Sequence, residues 1–177
     1  MKSFLSIVAM ALLMGCAGLM PVNNASPDKC LQDIAFKPLG IDVRGNLLHS
    51  PQEIQSRFGH PDSVQKQDIA TSAGILGQTT VYSYNGKTFT FMTMQGLSCL
   101  YSLEITKGRI GCLKIGMSKS SFEQKFGLTD IEGEDGVESR NYIDENSGVR
   151  FNLILEFKNS RLIKVTPDWD EIFGMGS

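Results

Sequence analysis

The sequence predicts an α+β fold made of two tandem repeats, each a short helix packed on an antiparallel β-meander. A helix-forming segment occurs twice in the chain, and each copy is followed by runs in which polar and apolar residues alternate between turn sequences. The composition is that of a chain with a packed core, since 41% of the 177 residues are hydrophobic and 20% are charged.

The chain begins with an apolar run over residues 4–14 that follows the single positive charge of Lys2. This run is far shorter than the roughly 20 residues of a membrane-spanning helix, so we expect a cleavable export segment. It ends in Leu13-Met14-Gly15-Cys16, which resembles the lipobox of bacterial lipoproteins. The resemblance implies a signal peptide at 1–15 and fatty-acid chains such as palmitate on Cys16, which anchor the protein stably in a membrane. The alternative is an ordinary secretory signal in which Cys16 has no special role.

Ala17 follows the lipidated position, where bacterial lipoproteins kept in the inner membrane have Asp, so the resemblance implies the outer membrane on its periplasmic side. The Pro, Asn and Ser residues that follow predict a flexible linker. Together with the lipidated Cys16, this linker occupies residues 16–29. Removal of Lys2 takes the net charge from −2 to about −3, so no nucleic-acid partner is predicted.

The repeated helix occupies residues 50–59 and again 118–127. Ser50 and Ser118 are suited to cap the helix N-terminus by accepting hydrogen bonds from its first free N–H groups. Gly59 and Gly127 are suited to the left-handed conformation that ends a helix. Since both caps recur at the same spacing, each copy is predicted to be a complete short helix that must pack its apolar side on another element.

Three strands are predicted after each helix. In the first copy they are residues 79–84, 87–94 and 97–106, with a hairpin signal at Asn85-Gly86. In the second copy they are residues 137–143, 149–157 and 161–166. The longer segment 60–78 of the first copy is predicted to be a loop. We therefore expect a first α+β repeat at 30–107 and a second at 108–177, which includes the C-terminal tail.

The segment 115–127, Ile-Gly-Met-Ser-Lys-Ser-Ser-Phe-Glu-Gln-Lys-Phe-Gly, followed by a strand with Tyr and one rich in Phe, resembles the repeat of two families. These are the BamE (SmpA/OmlA) lipoproteins and the β-lactamase inhibitory protein BLIP. The first copy departs from the pattern, because Leu48-His49-Ser50 stands where Gly-Met-Ser stands in the second. The resemblance implies a small helix-on-sheet unit, present twice.

Catalytic residues, a metal site and a cofactor are not predicted. The chain has only two histidines, His49 and His60, and it lacks the Cys-x-x-Cys and His-Glu-x-x-His spacings of zinc sites. The acidic run 130–136 lacks the Gly and Glu of a calcium loop. Ser63 and Lys66 have the spacing of a serine–lysine pair, but its companion motifs are absent.

Alternation along the predicted strands separates a core face from a solvent face. The aromatic residues of 82–84 and 89–91 are predicted to face the helix. Four hydroxyl residues are then expected to face water and to form the partner-binding face, as the resemblance to BLIP implies: Ser83, Thr88, Thr90 and Thr93. Trp169, in the tail, is expected either to cap the last strand or to be an exposed anchor on this face.

Three cysteines remain once Cys16 is lipidated. An oxidising periplasm favours one disulfide among Cys30, Cys99 and Cys112, and leaves one thiol over. A tight turn at Lys107-Gly108 would hold Cys99 too far from Cys112, whereas a looser loop would not. Cys99–Cys112 and a bond from Cys30 to either of them therefore remain alternatives.

Two functions fit this sequence. The first is a non-enzymatic envelope lipoprotein that binds or assembles a protein partner in the envelope, as the resemblance to BamE implies. The alternative is a periplasmic inhibitor or immunity protein that blocks a hydrolase or a toxin, as the resemblance to BLIP implies. In both, the protein also meets the membrane through its lipid anchor.

Overall fold

The computed structural model describes residues 27–70 and 76–169. The predicted signal peptide, Cys16 and the end of the C-terminal tail lie outside these residues. The described part of the chain contains three α-helices: α1 (Pro27–Phe36), α2 (Pro51–Phe58) and α3 (Lys119–Phe126). Short 3₁₀ segments at Pro38–Gly40 and Val43–Leu48 connect α1 to α2.

Helix α1 was not predicted from the sequence. Residues 27–29 were predicted to end the flexible linker, but they form the first turn of α1. Pro27 suits a first helical position because it needs no N–H partner there, and Asp28 places a negative charge at the positive end of the helix dipole. The prediction of a linker over 16–29 is therefore wrong for its last three residues.

Helices α2 and α3 have the predicted serine and glycine caps. The hydroxyl of Ser50 accepts a hydrogen bond from the N–H three residues on at 3.2 Å, and that of Ser118 does the same at 3.1 Å. At the other end Gly59 and Gly127 have φ angles of 81° and 91°, which glycine tolerates best. The local signals in the sequence thus set both ends of both helices.

Replacing either capping serine with alanine is expected to lower the free energy of unfolding by about 1 kcal/mol, because one N–H of the first turn loses its acceptor. Urea unfolding of Ser50→Ala and Ser118→Ala measures this cost. Gln124→Ala, at an exposed position inside α3, is the matched control and should cost nothing. Equal effects at all three positions would show that the caps do not stabilise these helices.

Seven strands form one antiparallel sheet in the order β1-β2-β3-β4-β9-β8-β7. Their bounds are β1 Ser63–Ala70, β2 Leu76–Tyr84, β3 Lys87–Met94, β4 Leu97–Ile105, β7 Gly136–Ile143, β8 Arg150–Lys158 and β9 Arg161–Asp168. A separate hairpin of β5 (Arg109–Ile110) and β6 (Leu113–Lys114) follows β4. The prediction of an α+β fold is confirmed.

Two strand regions differ from the sequence prediction. Segment 60–78 was expected to be a loop, yet β1 and the start of β2 lie within it. Strand β1 could not be predicted from the sequence because it is mostly polar on both sides, so it lacks the apolar alternation of a half-buried strand. The β5–β6 hairpin is too short to produce a pattern.

The predicted units 30–107 and 108–177 share this sheet. The last sheet strands of the two units, β4 and β9, lie side by side and pair in register at Ile105 and Val165. Helix α1, most of which lies within the predicted first unit, packs on β8 and β9 of the second. Packing between sequence-distant elements therefore joins the halves around a single core.

The core lies between the helices and one face of the sheet, which we call the helix face. Cross-strand partners share a face, so the buried residues of neighbouring strands form continuous rows on it. Each helix packs on these rows through a pair of aromatic rings. The distances between ring centroids are 5.1 Å for Phe58–Phe89, 5.5 Å for Phe122–Phe157 and 4.9 Å for Phe36–Phe151. None of the helices in the described residues is long and apolar enough to cross a membrane.

Candidate functional site

The opposite side of the sheet, which we call the open face, is the largest candidate surface for binding. Every helix-to-strand ring contact found in residues 27–70 and 76–169 uses the helix face instead. The strand register assigns the following residues, among others, to the open face: Thr79, Val81, Ser83, Thr88, Thr90, Ser102, Glu104, Val137, Ser139, Asn141, Ile143, Asn152, Ile154, Glu156, Lys164 and Thr166.

Three of the predicted binding residues lie together on the open face. Ser83 is the cross-strand partner of Thr88, and Thr90 is the partner of Val81. All four side chains are partly exposed. The hydroxyl groups of β2 and β3 therefore form one small patch on this face.

Thr93 was expected in the same patch, but it lies on the helix face. Residues 89, 91 and 93 are two apart on a strand without a bulge of its own, so they point to one side. The Thr93 hydroxyl donates to the hydroxyl of its cross-strand partner Ser98, on β4, at 3.1 Å. The prediction for Thr93 is wrong because side chains two residues apart on a strand share a face, so Thr93 must lie on the same side as Phe89 and Phe91.

Trp169 is likewise not part of an exposed binding surface. Its side chain is 1% exposed and belongs to the core. The indole Nε1–H donates to the carbonyl oxygen of Leu100 at 3.1 Å, which satisfies the polar atom that burial would otherwise leave unpaired. Of the two roles that the sequence allowed, the structure contradicts the exposed anchor and supports closure of the end of β9.

A row of charged side chains crosses the open face where the two halves meet. Lys164 Nζ lies 2.9 Å from Glu156 Oε2 and 4.0 Å from Glu104 Oε1. The hydrogen bond to Glu156 is the main cause that raises the pKa of Lys164, and the charge of Glu104 adds to it. The row links β8, β9 and β4 and gives the middle of this face an excess of negative charge.

Apolar side chains are exposed at the β7 end of the open face. Val137 is 61% exposed and Ile143 is 52% exposed, although alternate residues of the same strand are buried. Large aliphatic groups next to polar ones are common where proteins bind each other. The open face thus combines hydroxyl, charged and apolar regions.

The disulfide joins Cys30 of α1 to Cys112 of the β5–β6 hairpin, which decides between the pairings that the sequence left open. Cys99 is a free and buried thiol. Burial raises its pKa above the usual value, so at neutral pH the group is protonated and a poor nucleophile. Its thiol also lies 3.6 Å from the carbonyl oxygen of Met92.

A cleft of about 570 Å³ lies between the 3₁₀ segment Val43–Leu48 and the loop after β7. Arg44 crosses it, forming a two-point ion pair with Asp42 and lying 3.6 Å from Asp144. His49 approaches the carbonyl oxygen of Asp42 at 2.7 Å. The opposite charges in this cleft pair with each other, and the described residues contain no group of three or more His, Cys, Asp or Glu placed to hold a metal ion.

The pKa of Asp144 tests the hydrogen bonds and ion pairs of this cleft. The Ser147 hydroxyl donates to it at 2.6 Å and, together with the charge of Arg44, lowers its pKa below the usual 3.8. Its contribution to stability is therefore present above pH 3.8 and lost as pH falls through the lower, folded-state pKa. Carboxyl NMR titration of Ser147→Ala should show the pKa of Asp144 rising, whereas Ser139→Ala should leave it unchanged. An unchanged pKa in Ser147→Ala would rule out this cause.

The fold and surface define a class: an α+β protein with a seven-stranded antiparallel sheet, helices on one face and a disulfide that ties the first helix to a hairpin. No protein-family model and no curated protein matches the chain. One similar solved structure is a cysteine-rich secretory protein from Staphylococcus aureus subsp. aureus Mu50, with a TM-score of 0.36 and 13% identity over 69% of this chain. The match covers 44% of that protein, and a similarity this weak carries no argument about function.

Proposed function

We propose that the protein is a lipoprotein of the outer membrane that faces the periplasm and binds an envelope protein through the open face, without being an enzyme. The observation that supports binding is the open face itself, on which exposed Val137 and Ile143 lie beside polar residues. A broad sheet face with exposed aliphatic side chains among polar and charged groups offers the mixed contacts of a non-obligate protein interface.

The proposed anchor is compatible with the place where the folded part begins. Helix α1 starts at Pro27, so residues 17–26 separate it from Cys16. Even fully extended, a segment of this length spans at most roughly 35 Å. A partner bound to the open face would thus be held close to the membrane surface.

We also propose that the halves of the chain are tandem repeats. Helices α2 and α3 have equivalent caps. Strands β2, β3 and β4 form a meander after α2, as β7, β8 and β9 do after α3, and the first half has the additional edge strand β1. In both meanders the third strand has one extra residue that forms a bulge, Tyr101 in β4 and Ile163 in β9. The second and third strands are joined at Gln95-Gly96 and Asn159-Ser160, where all four residues have positive φ.

Affinity purification of the full lipidated chain from envelope membranes, followed by mass spectrometry, tests the binding proposal. Thr90→Arg places a long charged side chain in the middle of the hydroxyl patch and should abolish recovery of the partner. Gln124→Arg adds the same charge on exposed α3, on the other side of the sheet, and should retain it. Loss of the partner in both variants, or in neither, would contradict binding through the open face.

Cys16→Ala tests the anchor. Without the acylated thiol, the protein should move from the membrane fraction to the soluble fraction and lose palmitate labelling. A variant that stays in the membrane fraction would contradict the proposed anchor.

The affinity purification also separates the two candidate functions. Recovery of a hydrolase or toxin that the protein inhibits would replace the assembly role with the inhibitor role.

A further inference from the structure

Strand β1 is an edge strand that the chain leaves exposed on both faces. Seven of its eight residues are exposed and only Ile69 is partly covered. The opposite edge of the sheet differs, because Glu138 and Tyr142 of β7 are buried. Strand β1 therefore obtains little stability from the core and has an outer row of backbone N–H and C=O groups available for pairing.

Strand β1 has one of the features that shield an edge strand and lacks two others. Natural sheets commonly shield an edge with proline, a bulge or charged side chains. Strand β1 contains no proline, and its register with β2 is unbroken from Ser63 to Ala70. It does carry charged residues, Lys66 and Asp68, on the helix face. Because their signs are opposite, a second β1 strand can match them instead of being repelled.

We infer that β1 is a dimerisation edge, which pairs antiparallel with β1 of a second copy of this chain about a twofold axis at Gln67. In this register Lys66 of each copy lies opposite Asp68 of the other. Opposite charges at directly facing positions stabilise a strand pair, and the twofold axis produces this pair twice. Gln78 donates to Asp68 at 3.1 Å and so helps to hold that carboxylate on the sheet.

The neighbouring twofold registers are unfavourable. An axis at Lys66 would place the two lysines opposite each other, and an axis at Asp68 would do the same with the two aspartates. Like charges directly opposite destabilise a pair. Only the axis at Gln67, among these three, matches every charge on the strand with its opposite.

This arrangement has a geometric consequence that fits a protein held at a membrane, although the inference does not rest on the proposed anchor. A twofold axis perpendicular to the sheet places the helix faces of both copies on the same side. Both α1 helices then lie on that side. The two open faces become one continuous surface on the other side.

Cysteine cross-linking of the full chain in cell envelopes tests the register. Two Gln67→Cys residues would face each other across the axis, with Cα atoms about 5 Å apart, within reach of a disulfide. Gln65→Cys is the matched control on the same side of the strand. It would lie opposite Ile69, roughly 13 Å from its own copy along the strand, which is too far. We expect a covalent dimer on non-reducing gels for Gln67→Cys alone.

Charge exchange tests the same register without cysteine. Lys66→Asp should weaken the dimer of the detergent-solubilised full chain about tenfold in sedimentation experiments, because both ion pairs become like-charge pairs. The swap Lys66→Asp with Asp68→Lys should restore it. The inference is overturned if the wild-type chain is monomeric, if both cysteines cross-link equally, if open-ended oligomers form, or if the swap does not restore association.

Discussion

Simultaneous replacement of Cys30 and Cys112 with alanine is expected to lower the free energy of unfolding by about 4 kcal/mol. The disulfide spans 82 positions of sequence, and closing a loop of this size removes much of the conformational freedom of the unfolded chain. A typical domain is stable by roughly 5–15 kcal/mol, so this loss is large. Urea unfolding followed by the fluorescence of Trp169, the single tryptophan, measures it.

Cys99→Ala is the control for this experiment. It removes a buried thiol but leaves the disulfide, so we expect a loss of only about 1 kcal/mol from reduced packing. A reducing agent should destabilise the wild-type chain as much as the double replacement does. If the double replacement cost less than the control, the disulfide would not be a major source of stability.

Trp169→Ala is expected to cost about 3–5 kcal/mol, because it removes the largest buried side chain at the end of the sheet and leaves a cavity. The carbonyl oxygen of Leu100 also loses its donor. Chemical unfolding followed by circular dichroism measures the change, since the variant has no tryptophan.

Trp169→Phe separates the two contributions. Phenylalanine retains much of the packing but cannot donate a hydrogen bond. Trp169→Phe should therefore lower the free energy of unfolding by less than Trp169→Ala does. About 1–3 kcal/mol of its loss would come from the unpaired carbonyl oxygen of Leu100. A fully stable Trp169→Ala chain would contradict the role of Trp169 in the core.

The elements that could be predicted from the sequence are those specified by local chemistry. Ser50 and Ser118 mark the starts of α2 and α3, and the glycines that follow mark their ends. The Asn85-Gly86 turn sets the register of β2 with β3. In each case residues close together in sequence satisfy each other's hydrogen bonds or backbone requirements, so the pattern is visible without the fold.

Features that depend on distant contacts could not be predicted. The pairing of Ile105 with Val165, the packing of α1 on β8 and the choice of Cys112 as the partner of Cys30 all follow from how the elements assemble. Strand β1 was missed for another reason. Its residues lie outside the core, so burial does not impose a pattern on them.

The candidate binding surface was predicted in part. Ser83, Thr88 and Thr90 share the open face because the alternation of β2 and β3 is regular. The same alternation excludes Thr93, so that error could have been avoided from the sequence alone. The row around Lys164 could not be foreseen, because it requires that β4, β9 and β8 be neighbours.

The link between Cys30 and Cys112 also has a mechanical consequence for a chain tethered at Cys16, as we propose. Tension on the tether enters the folded part at α1, whose packing on the sheet is noncovalent. The disulfide carries that load past the interface and into the β5–β6 hairpin, near the middle of the chain. Under tension, α1 would therefore stay attached to the rest of the fold for as long as this covalent bond is intact.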